Sequence, residues 1–265
     1  MIKTFFSSLR IIFYLFILVL VYVFYLSRDL PSLERLETFD PAMLSTLYDR
    51  NGEVIGEFYI QKRVFVDIED MPNHLKNAAI ASEDKRFYSH WGVDLQSFFR
   101  AVVVNVSSMS FRQGFSTLSQ QLARNLYKEV GFKDSITRKL KEMITAIQIE
   151  RTYTKDEILE MYLNTVHFGH GTYGAESAAK RFFNKNASDL TIGESAMLIG
   201  LLPSPANYSP LRNLNKAIGR RSIVLKLMYN QDFISYQEYM EHNSIVPDNI
   251  YYEIPKGKAP YFAEH

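Results

Sequence analysis

The feature that most constrains this chain is an uninterrupted apolar run near its amino end. Residues 11–26 read IIFYLFILVLVYVFYL, without a charged residue, glycine or proline, and Arg10 and Arg28 bound the run. As a helix, the segment between the two arginines spans roughly 25 Å, slightly less than a hydrocarbon core of about 30 Å, and the arginine side chains can cover the difference. The run therefore predicts an uncleaved transmembrane helix over residues 11–27.

The residues that flank this run predict how the chain is oriented. No Ala-x-Ala site follows the run, so the alternative of a cleaved secretory signal peptide is disfavoured. Lys3 and Arg10 precede the run, whereas Arg28 is followed directly by Asp29. The positive-inside rule then places the amino-terminal tail in the cytoplasm. Everything after the run would lie on the periplasmic or extracellular side of the cytoplasmic membrane.

Composition and charge exclude several classes of protein. The chain has 265 residues, of which 47% are hydrophobic, so it is too apolar to be disordered. Its 30 basic and 29 acidic residues leave a net charge of +1, which argues against a nucleic-acid partner, because phosphate binding is driven by excess positive charge. It has no cysteine, which excludes thiolate catalysis and cysteine-ligated zinc.

The remainder of the chain reads as one mainly α domain. Asn51-Gly52 between two apolar runs predicts a β-hairpin, and from about residue 70 to residue 242 the pattern is helical, most clearly over residues 135–151. Ser or Thr followed three residues later by Glu predicts capping boxes that begin with Thr154 and Ser235. The predicted parts are a cytoplasmic tail, the transmembrane helix, a tether, the mainly α domain with its small N-terminal β element, and a linker, over residues 1–10, 11–27, 28–45, 46–245 and 246–265.

The densest polar cluster follows an alanine-rich helix. Glu83 and Asp84 stand at the end of that helix, and Phe87, His90 and Gly92 come after them. Adjacent carboxylates raise each other's pKa, and an apolar wall raises it further, so one of the two could act as a base near neutral pH. The alternative is a solvated helix terminus with a capping histidine.

A second cluster lies around the start of a later helix. Gly114, Ser116 and Thr117 suit the start of that helix, on which Gln120 and Arg124, like Gln121 and Asn125, are four residues apart. Such a wall of hydrogen-bond donors suits a sugar or phosphate ligand, and a capped surface helix is the alternative.

A third cluster combines two cations with a carboxylate. Arg138, Lys139 and Glu142 fall on the polar face of the predicted helix over residues 135–151. Such a group is ordinarily a helix salt bridge, worth a few tenths of a kcal/mol. It could also be an anion site.

Five motifs occur in a fixed order and together carry a resemblance. They are EDxxFxxHxG, GxSTxxQQ, RKxxE, KxxILExYLN and RxxxVL, which begin at Glu83, Gly114, Arg138, Lys155 and Arg220. This series resembles the peptidoglycan glycosyltransferases, family 51 of the glycosyltransferases, found in class A penicillin-binding proteins and in monofunctional transglycosylases. The resemblance extends from about Thr46 to Met228. It implies a mainly α, lysozyme-like two-lobed domain.

The resemblance also implies an activity. Members of the family polymerise lipid II into β-1,4-linked glycan strands with inversion and release undecaprenyl pyrophosphate. By position, Glu83 and Glu142 are the expected catalytic residues. The expected substrate-binding residues are Asp84, His90, Ser116, Thr117, Gln120, Gln121, Arg124, Asn125, Arg138 and Lys139. The expected supporting residues are Phe87, Gly92, Gly114, Lys155, Glu160, Asn164 and Arg220.

The resemblance further suggests cofactors and partners. No cofactor is required by the sequence, although a divalent cation, Mg²⁺ or Mn²⁺, could assist the pyrophosphate leaving group beside Glu142. Expected partners are lipid II, the growing glycan chain, the membrane and other proteins of wall synthesis, division or elongation, but no nucleic acid. The linker over residues 246–265 resembles the passage toward a transpeptidase domain, so we expect the native chain to be longer.

Two other functions and several departures from the family pattern remain open at this stage. A lysozyme-like lytic hydrolase of peptidoglycan would also use a glutamate beside a glycan cleft, and a catalytically inactive membrane scaffold would retain the fold. Phe115, Ser119, Arg124 and Asn184 stand where the family mostly has Ala, Thr, Lys and Gly. Arg in place of Lys retains the charge and changes the donor geometry.

Overall fold

The structure, a computed structural model, describes only part of the chain. The described residues are 2–28, 30, 33, 45–48, 50, 54–58, 64–107, 116–129, 136–245 and 250. Gly114 lies outside them, as do most of the predicted tether and every residue of the predicted linker except Ile250.

Helices dominate the described residues, which confirms the mainly α prediction. The helices before the third motif are α1 (Ile2–Ser27), α2 (Asn73–Glu83), α3 (Leu95–Ser107) and α4 (Leu118–Glu129). The next are α5 (Ile136–Thr152), α6 (Lys155–Thr165), α7 (Ala175–Phe183) and α8 (Ile192–Leu201). The last are α9 (Pro205–Tyr208), α10 (Leu214–Tyr229) and α11 (Tyr236–Ser244), and short 3₁₀ turns cover Phe87–Ser89 and Ala187–Asp189.

Helix α1 includes the apolar run from which the sequence analysis began. Phe24 and Tyr25 are exposed near its end, whereas Leu26 is buried. Tyr22 Oη lies 3.3 Å from Thr137 Oγ1, so the carboxyl-terminal part of α1 contacts the start of α5. In the described part of the chain, no helix is both long enough and apolar enough to cross a membrane.

Two antiparallel hairpins supply the strands. Strands β1 (Ser45–Tyr48) and β2 (Val54–Phe58) pair with Ser45 opposite Phe58 and a bulge after Leu47, which confirms the predicted hairpin. Strands β3 (His167–Gly169) and β4 (Thr172–Tyr173) form a second hairpin where the sequence predicted helix, so that prediction was wrong. The four residues 169–171 and 174 all have positive φ, from 52° to 94°, and this left-handed backbone cannot continue a helix.

Two groups of helices pack closely, and their buried side chains belong to one hydrophobic core. Helices α2, α8 and α10 contact one another around buried side chains such as Leu75, Leu198 and Val224. Helix α4 packs against α5 and α6 through Leu118 and Leu122, which are completely buried. The last residue of α2, Glu83, is connected to α4 by a hydrogen bond from Gln121.

The local sequence fixes several helix boundaries. Thr154 Oγ1 accepts a hydrogen bond from Glu157 N, and Glu157 Oε2 accepts one from Thr154 N at 2.7 Å, so the predicted capping box at the start of α6 is confirmed. Ser235 forms the predicted box of α11 in the same way. A third box, Thr191 with Glu194, begins α8 and was missed by the sequence analysis.

Candidate active site

Glu83 is the last residue of α2, and its carboxylate contacts α4. Burial is the main cause that raises the pKa of Glu83 above its ordinary value, and hydrogen bonds to the charged form partly oppose it. Gln121 Nε2 donates to Glu83 Oε2 at 2.9 Å, and Ser82 Oγ lies 3.4 Å from Glu83 Oε1. Tyr162 Oη donates to Gln121 Oε1 at 3.2 Å, which orients the amide so that its NH₂ group faces Glu83.

Asp84 and His90 are buried beside Glu83 and contact protein groups. Asp84 Oδ2 accepts hydrogen bonds from His90 Nε2 at 2.8 Å and from Leu118 N at 2.9 Å. Gly92 N donates to His90 Nδ1, so the ring hydrogen of this tautomer is on Nε2. The structure thus places these two predicted substrate-binding residues in the interior, where they connect the first motif to the start of α4.

The first turn of α4 is fixed by a second set of contacts. Thr117 Oγ1 donates to Gly92 O at 2.7 Å and accepts from Gln120 N at 3.1 Å, so it caps the helix. Gly92 has φ +102°, and a Cβ there would lie 2.7 Å from Ala146 O in α5. Only glycine allows this approach, and the segment after His90 is therefore held between α4 and α5.

Three cationic side chains converge on Glu142. Arg138 Nε lies 3.0 Å from Glu142 Oε1, and Arg124 Nε lies 3.5 Å from the same oxygen. Lys139 Nζ lies 3.4 Å from Glu142 Oε2. The Glu142 side chain is 0% exposed, whereas the cations are 18–33% exposed, so three partly accessible positive charges surround one inaccessible negative charge. The group thus brings three cationic side chains to a single carboxylate.

The predicted donors on α4 join this cationic group. Lys139 Nζ donates to Ser116 Oγ at 2.8 Å and to Gln120 Oε1 at 3.1 Å, and Arg124 Nη2 donates to Ser116 Oγ at 3.3 Å. Burial is the main cause that lowers the pKa of Lys139, and Glu142 opposes it. Thr117 and Gln120 are buried, whereas the side chains that remain partly accessible are Ser116, Gln121, Arg124 and Asn125.

The residues around Glu142 do not fit the divalent cation that the sequence left open. Mg²⁺ is bound through one or two carboxylates together with water and substrate phosphates. Both oxygens of Glu142 lie within 3.5 Å of cationic side chains, which would repel a further cation placed there. Among the residues that the structure describes, no three acidic, histidine or cysteine side chains come together as ligands.

The supporting residues lie behind the site. Lys155 Nζ donates to His90 O at 2.8 Å and lies 4.6 Å from the ring centroid of Phe87. Glu160 Oε2 accepts from Ile68 N at 2.7 Å, and the Asn164 amide bonds both backbone groups of Val66. These contacts attach the segment before α2 to α6.

Arg220 approaches the site from α10. Its Nε donates to Gly200 O at 3.4 Å, and its guanidinium lies 5.1 Å from the ring centroid of Tyr208. Its positive charge lowers the pKa of Glu83, although this effect is smaller than those of burial and of the hydrogen bonds from Gln121 and Ser82. The site thus receives side chains from both helix groups.

Two polar residues of the site were missed by the sequence analysis. Glu150 Oε1 accepts from Ser119 Oγ at 2.6 Å, although the two residues are 31 positions apart and no local pattern connects them. Tyr162 lies within the quoted KxxILExYLN motif, but only the structure shows that it is completely buried on α6, where a tyrosine hydroxyl ordinarily has a partner.

Comparison with known protein families identifies the family to which these site residues belong. The model of the family described as Transglycosylase matches residues 51–229, which is more than half of the chain. The chain belongs to the transglycosylase family. The matched residues of this transglycosylase include Glu83, Glu142 and the described parts of all five motifs. The resemblance that the sequence motifs carry is thereby confirmed.

Curated relatives of this transglycosylase are larger proteins. It is 43% identical to penicillin-binding protein 1A of Neisseria gonorrhoeae over 224 residues, covering 84% of this chain and 27% of that protein. It is 39% identical to penicillin-binding protein 1A of Aquifex aeolicus (strain VF5) over 233 residues, covering 88% of this chain and 32% of that protein. The chain therefore spans about a quarter to a third of the length of these relatives.

A solved structure is also similar to this transglycosylase. The crystal structure of penicillin-binding protein 1A from Haemophilus influenzae aligns with a TM-score of 0.46 and 23% sequence identity. The alignment covers 79% of this chain and 21% of that chain.

Proposed function

We propose that this transglycosylase polymerises lipid II into β-1,4-linked glycan with inversion and releases undecaprenyl pyrophosphate. The observation that carries the proposal is the placement of two opposite electrostatic environments on one helix. Gln121 of α4 donates a hydrogen bond to the half-buried base Glu83, and Arg124, three residues later, belongs to the cationic group around Glu142. Residues three apart on a helix are neighbours on its surface, about 5–6 Å apart at Cβ. A base and an anion site side by side suit transfer of a sugar from a pyrophosphate.

Glu83 is the general base in this mechanism. A base that accepts a proton from a sugar hydroxyl is most effective when its pKa lies near the working pH. Burial raises the pKa of Glu83 in that direction, and the hydrogen bond from Gln121 stabilises the carboxylate that must act. Glu83 removes the proton from the acceptor C4 hydroxyl, whose oxygen attacks C1 of the donor sugar from the face opposite the leaving group.

The cationic group stabilises the leaving pyrophosphate. Arg124, Arg138 and Lys139 remain partly exposed, so their donors can turn toward phosphate oxygens as negative charge develops there. Glu142 orients these cations and does not contact the substrate, because its side chain is completely buried. A lytic hydrolase would instead need a second carboxylate that can reach the sugar ring or its attacking water, and the Glu142 side chain is completely buried behind three cationic side chains.

The remaining site residues divide by exposure into two roles. Ser116, Gln121, Arg124 and Asn125 are partly accessible and line the donor cleft. The buried residues Asp84, His90, Thr117 and Gln120 hold that cleft in shape.

The proposal extends to location and partners. The apolar run over residues 11–26 and the basic residues before it support a single-pass attachment to the cytoplasmic membrane, with residues 1–10 in the cytoplasm and the site on the outer side. This attachment would keep the site beside a lipid-linked substrate. The growing glycan chain and other wall-synthesis, division or elongation proteins are the expected partners.

A polymerisation assay tests the proposal. The chain in detergent is given lipid II, and glycan products and released undecaprenyl pyrophosphate are measured with and without moenomycin. We expect both products to appear together and to be suppressed by moenomycin. Cleavage of preformed peptidoglycan without consumption of lipid II would assign the lytic activity instead, and absence of both reactions would favour the inactive scaffold.

A further inference from the structure

Glu150 is a buried carboxylate at the back of the site to which the proposed mechanism gives no role. Its side chain is 5% exposed, and it stands on α5 two turns after Glu142. Burying a carboxylate costs free energy unless charged and polar groups contact it, so the partners of Glu150 indicate its role in the fold.

The partners of Glu150 belong to two different segments. Glu150 Oε1 accepts from Ser119 Oγ in the first turn of α4 at 2.6 Å. Both of its oxygens lie 2.7 Å from Lys155 Nζ at the start of α6. One carboxylate of α5 therefore joins the amino ends of α4 and α6.

The same carboxylate extends to the histidine of the first motif. Glu150 Oε1 lies 3.7 Å from His90 Nδ1, and Lys155 Nζ, held by Glu150, donates to His90 O at 2.8 Å. His90 Nε2 in turn donates to Asp84 Oδ2 at 2.8 Å. A continuous polar chain thus runs from Glu150 through Lys155 and His90 to the residue next to Glu83.

We propose that Glu150 is a positioning residue that sets the placement of Glu83 relative to its hydrogen-bond donor. Glu150 acts along two routes. The first is its hydrogen bond from Ser119, which lies on the helix turn next to Gln121. The second is its contact with Lys155, which bonds His90, which in turn bonds Asp84. Gln121 donates a hydrogen bond to Glu83, and Asp84 is the residue that follows Glu83 in the chain. The inference rests on the proposed function, because the geometry that Glu150 fixes is that of the proposed base.

A buried ion pair elsewhere in the chain provides a matched control. Glu194 is also buried and its two oxygens lie 2.9 and 3.2 Å from Lys185 Nζ, but it stands at the start of α8, away from Glu83. If Glu150 only stabilises the fold, Glu150→Gln and Glu194→Gln should behave alike. If Glu150 positions the base, only Glu150→Gln should change turnover.

The first test separates turnover from binding. We expect Glu150→Gln to lower kcat for lipid II polymerisation by roughly 10- to 100-fold, because small misplacements of a catalytic group have effects of that size, with KM within about twofold of wild type. Ser119→Ala should lower kcat in the same direction and add little to Glu150→Gln, whereas Ser119→Thr, which keeps the hydroxyl, should retain most of the turnover. Glu194→Gln should keep the wild-type kcat even where its melting temperature falls as much as that of Glu150→Gln.

The second test needs no turnover. The ring ¹⁵N signals of His90, assigned by their absence in His90→Asn, should report hydrogen on Nε2 in the wild type and should move in Glu150→Gln but not in Glu194→Gln. A Glu150→Gln variant with kcat within twofold of wild type and unmoved His90 signals would overturn the inference. If the wild type did not polymerise lipid II, the proposed function would fail, and the His90 signals would still decide whether Glu150 positions this chain of residues. If Glu150→Gln did not fold, Ser119→Ala would carry both measurements.

Discussion

Gln121 donates a hydrogen bond from Nε2 to Oε2 of Glu83 at 2.9 Å and thereby connects α4 to the end of α2. The bond stabilises the charged form of a carboxylate that burial otherwise disfavours. Its direction is set by Tyr162, whose hydroxyl occupies the oxygen end of the amide at 3.2 Å. Burial and this bond are the two largest influences on the pKa of Glu83, ahead of those of Ser82, Arg220 and Asp84.

Glu83→Gln should remove activity and raise stability together. The pKa of Glu83 is raised in the folded state, mainly by burial, so the favourable contribution of this group is complete below its unfolded pKa and is lost as pH rises through its folded pKa. A neutral glutamine avoids that loss at pH 7. We expect no lipid II polymerisation and a higher melting temperature at pH 7, with the difference in melting temperature shrinking toward pH 4. A variant with near wild-type turnover would remove Glu83 from the role of base.

Gln121→Met should shift the pH dependence of the reaction. Loss of the hydrogen bond removes a stabiliser of the carboxylate, so the pKa of Glu83 should rise further. The acidic limb of kcat/KM for lipid II polymerisation should therefore move to higher pH. Tyr162→Phe is the control, because it keeps the amide beside Glu83 and should move the limb less. An unmoved limb in Gln121→Met would show that another group titrates there.

Glu142→Gln should weaken both the fold and the reaction. Three cations would lose the buried carboxylate they share, which should lower the free energy of unfolding by about 3 kcal/mol. Polymerisation should fall by roughly 100-fold, because the cations are no longer held toward the leaving group. Urea titration and initial rates measure the two effects. Unchanged turnover would show that Glu142 only forms an ordinary helix salt bridge and has no role in the reaction.

Gly92→Ala should be more disruptive than Gly171→Ala. Both glycines have positive φ, +102° and +69°, but a Cβ at Gly92 would lie 2.7 Å from Ala146 O, whereas one at Gly171 would meet nothing within 4 Å. We expect a loss of about 3 kcal/mol for Gly92→Ala and of about 1 kcal/mol for Gly171→Ala, measured by chemical denaturation. Equal losses would show that α5 yields to the new methyl group.

Asn184→Gly should stabilise the chain slightly. Asn184 ends α7 with φ +54°, a left-handed conformation that asparagine tolerates and that glycine adopts without a side-chain penalty. We expect a gain of about 0.5 kcal/mol, or roughly 1–2 °C in melting temperature. Polymerisation should be unchanged, since the residue lies outside the site. A fall in melting temperature would mean that the asparagine side chain contributes more than the backbone strain costs.

The sequence by itself determined the helical character of the chain, several helix boundaries and the family. Apolar periodicity over residues 135–151 predicted a helix observed at Ile136–Thr152, because that signal is local and needs no knowledge of neighbours. The capping boxes at Thr154 and Ser235 were equally local. The motifs predicted which residues to consider, but their spacing carried no distances between segments.

Only the tertiary structure decided which polar residues are exposed and which are buried. Glu142 lies on the polar face of α5 in the sequence pattern, yet it is completely buried, because α4 packs over that face and brings Arg124 to it. The link from Ser119 to Glu150 and the approach of Gly92 to Ala146 likewise exist only after the helices pack. Periodicity reports how apolar a face is, whereas burial and charge pairing depend on what another segment places against it.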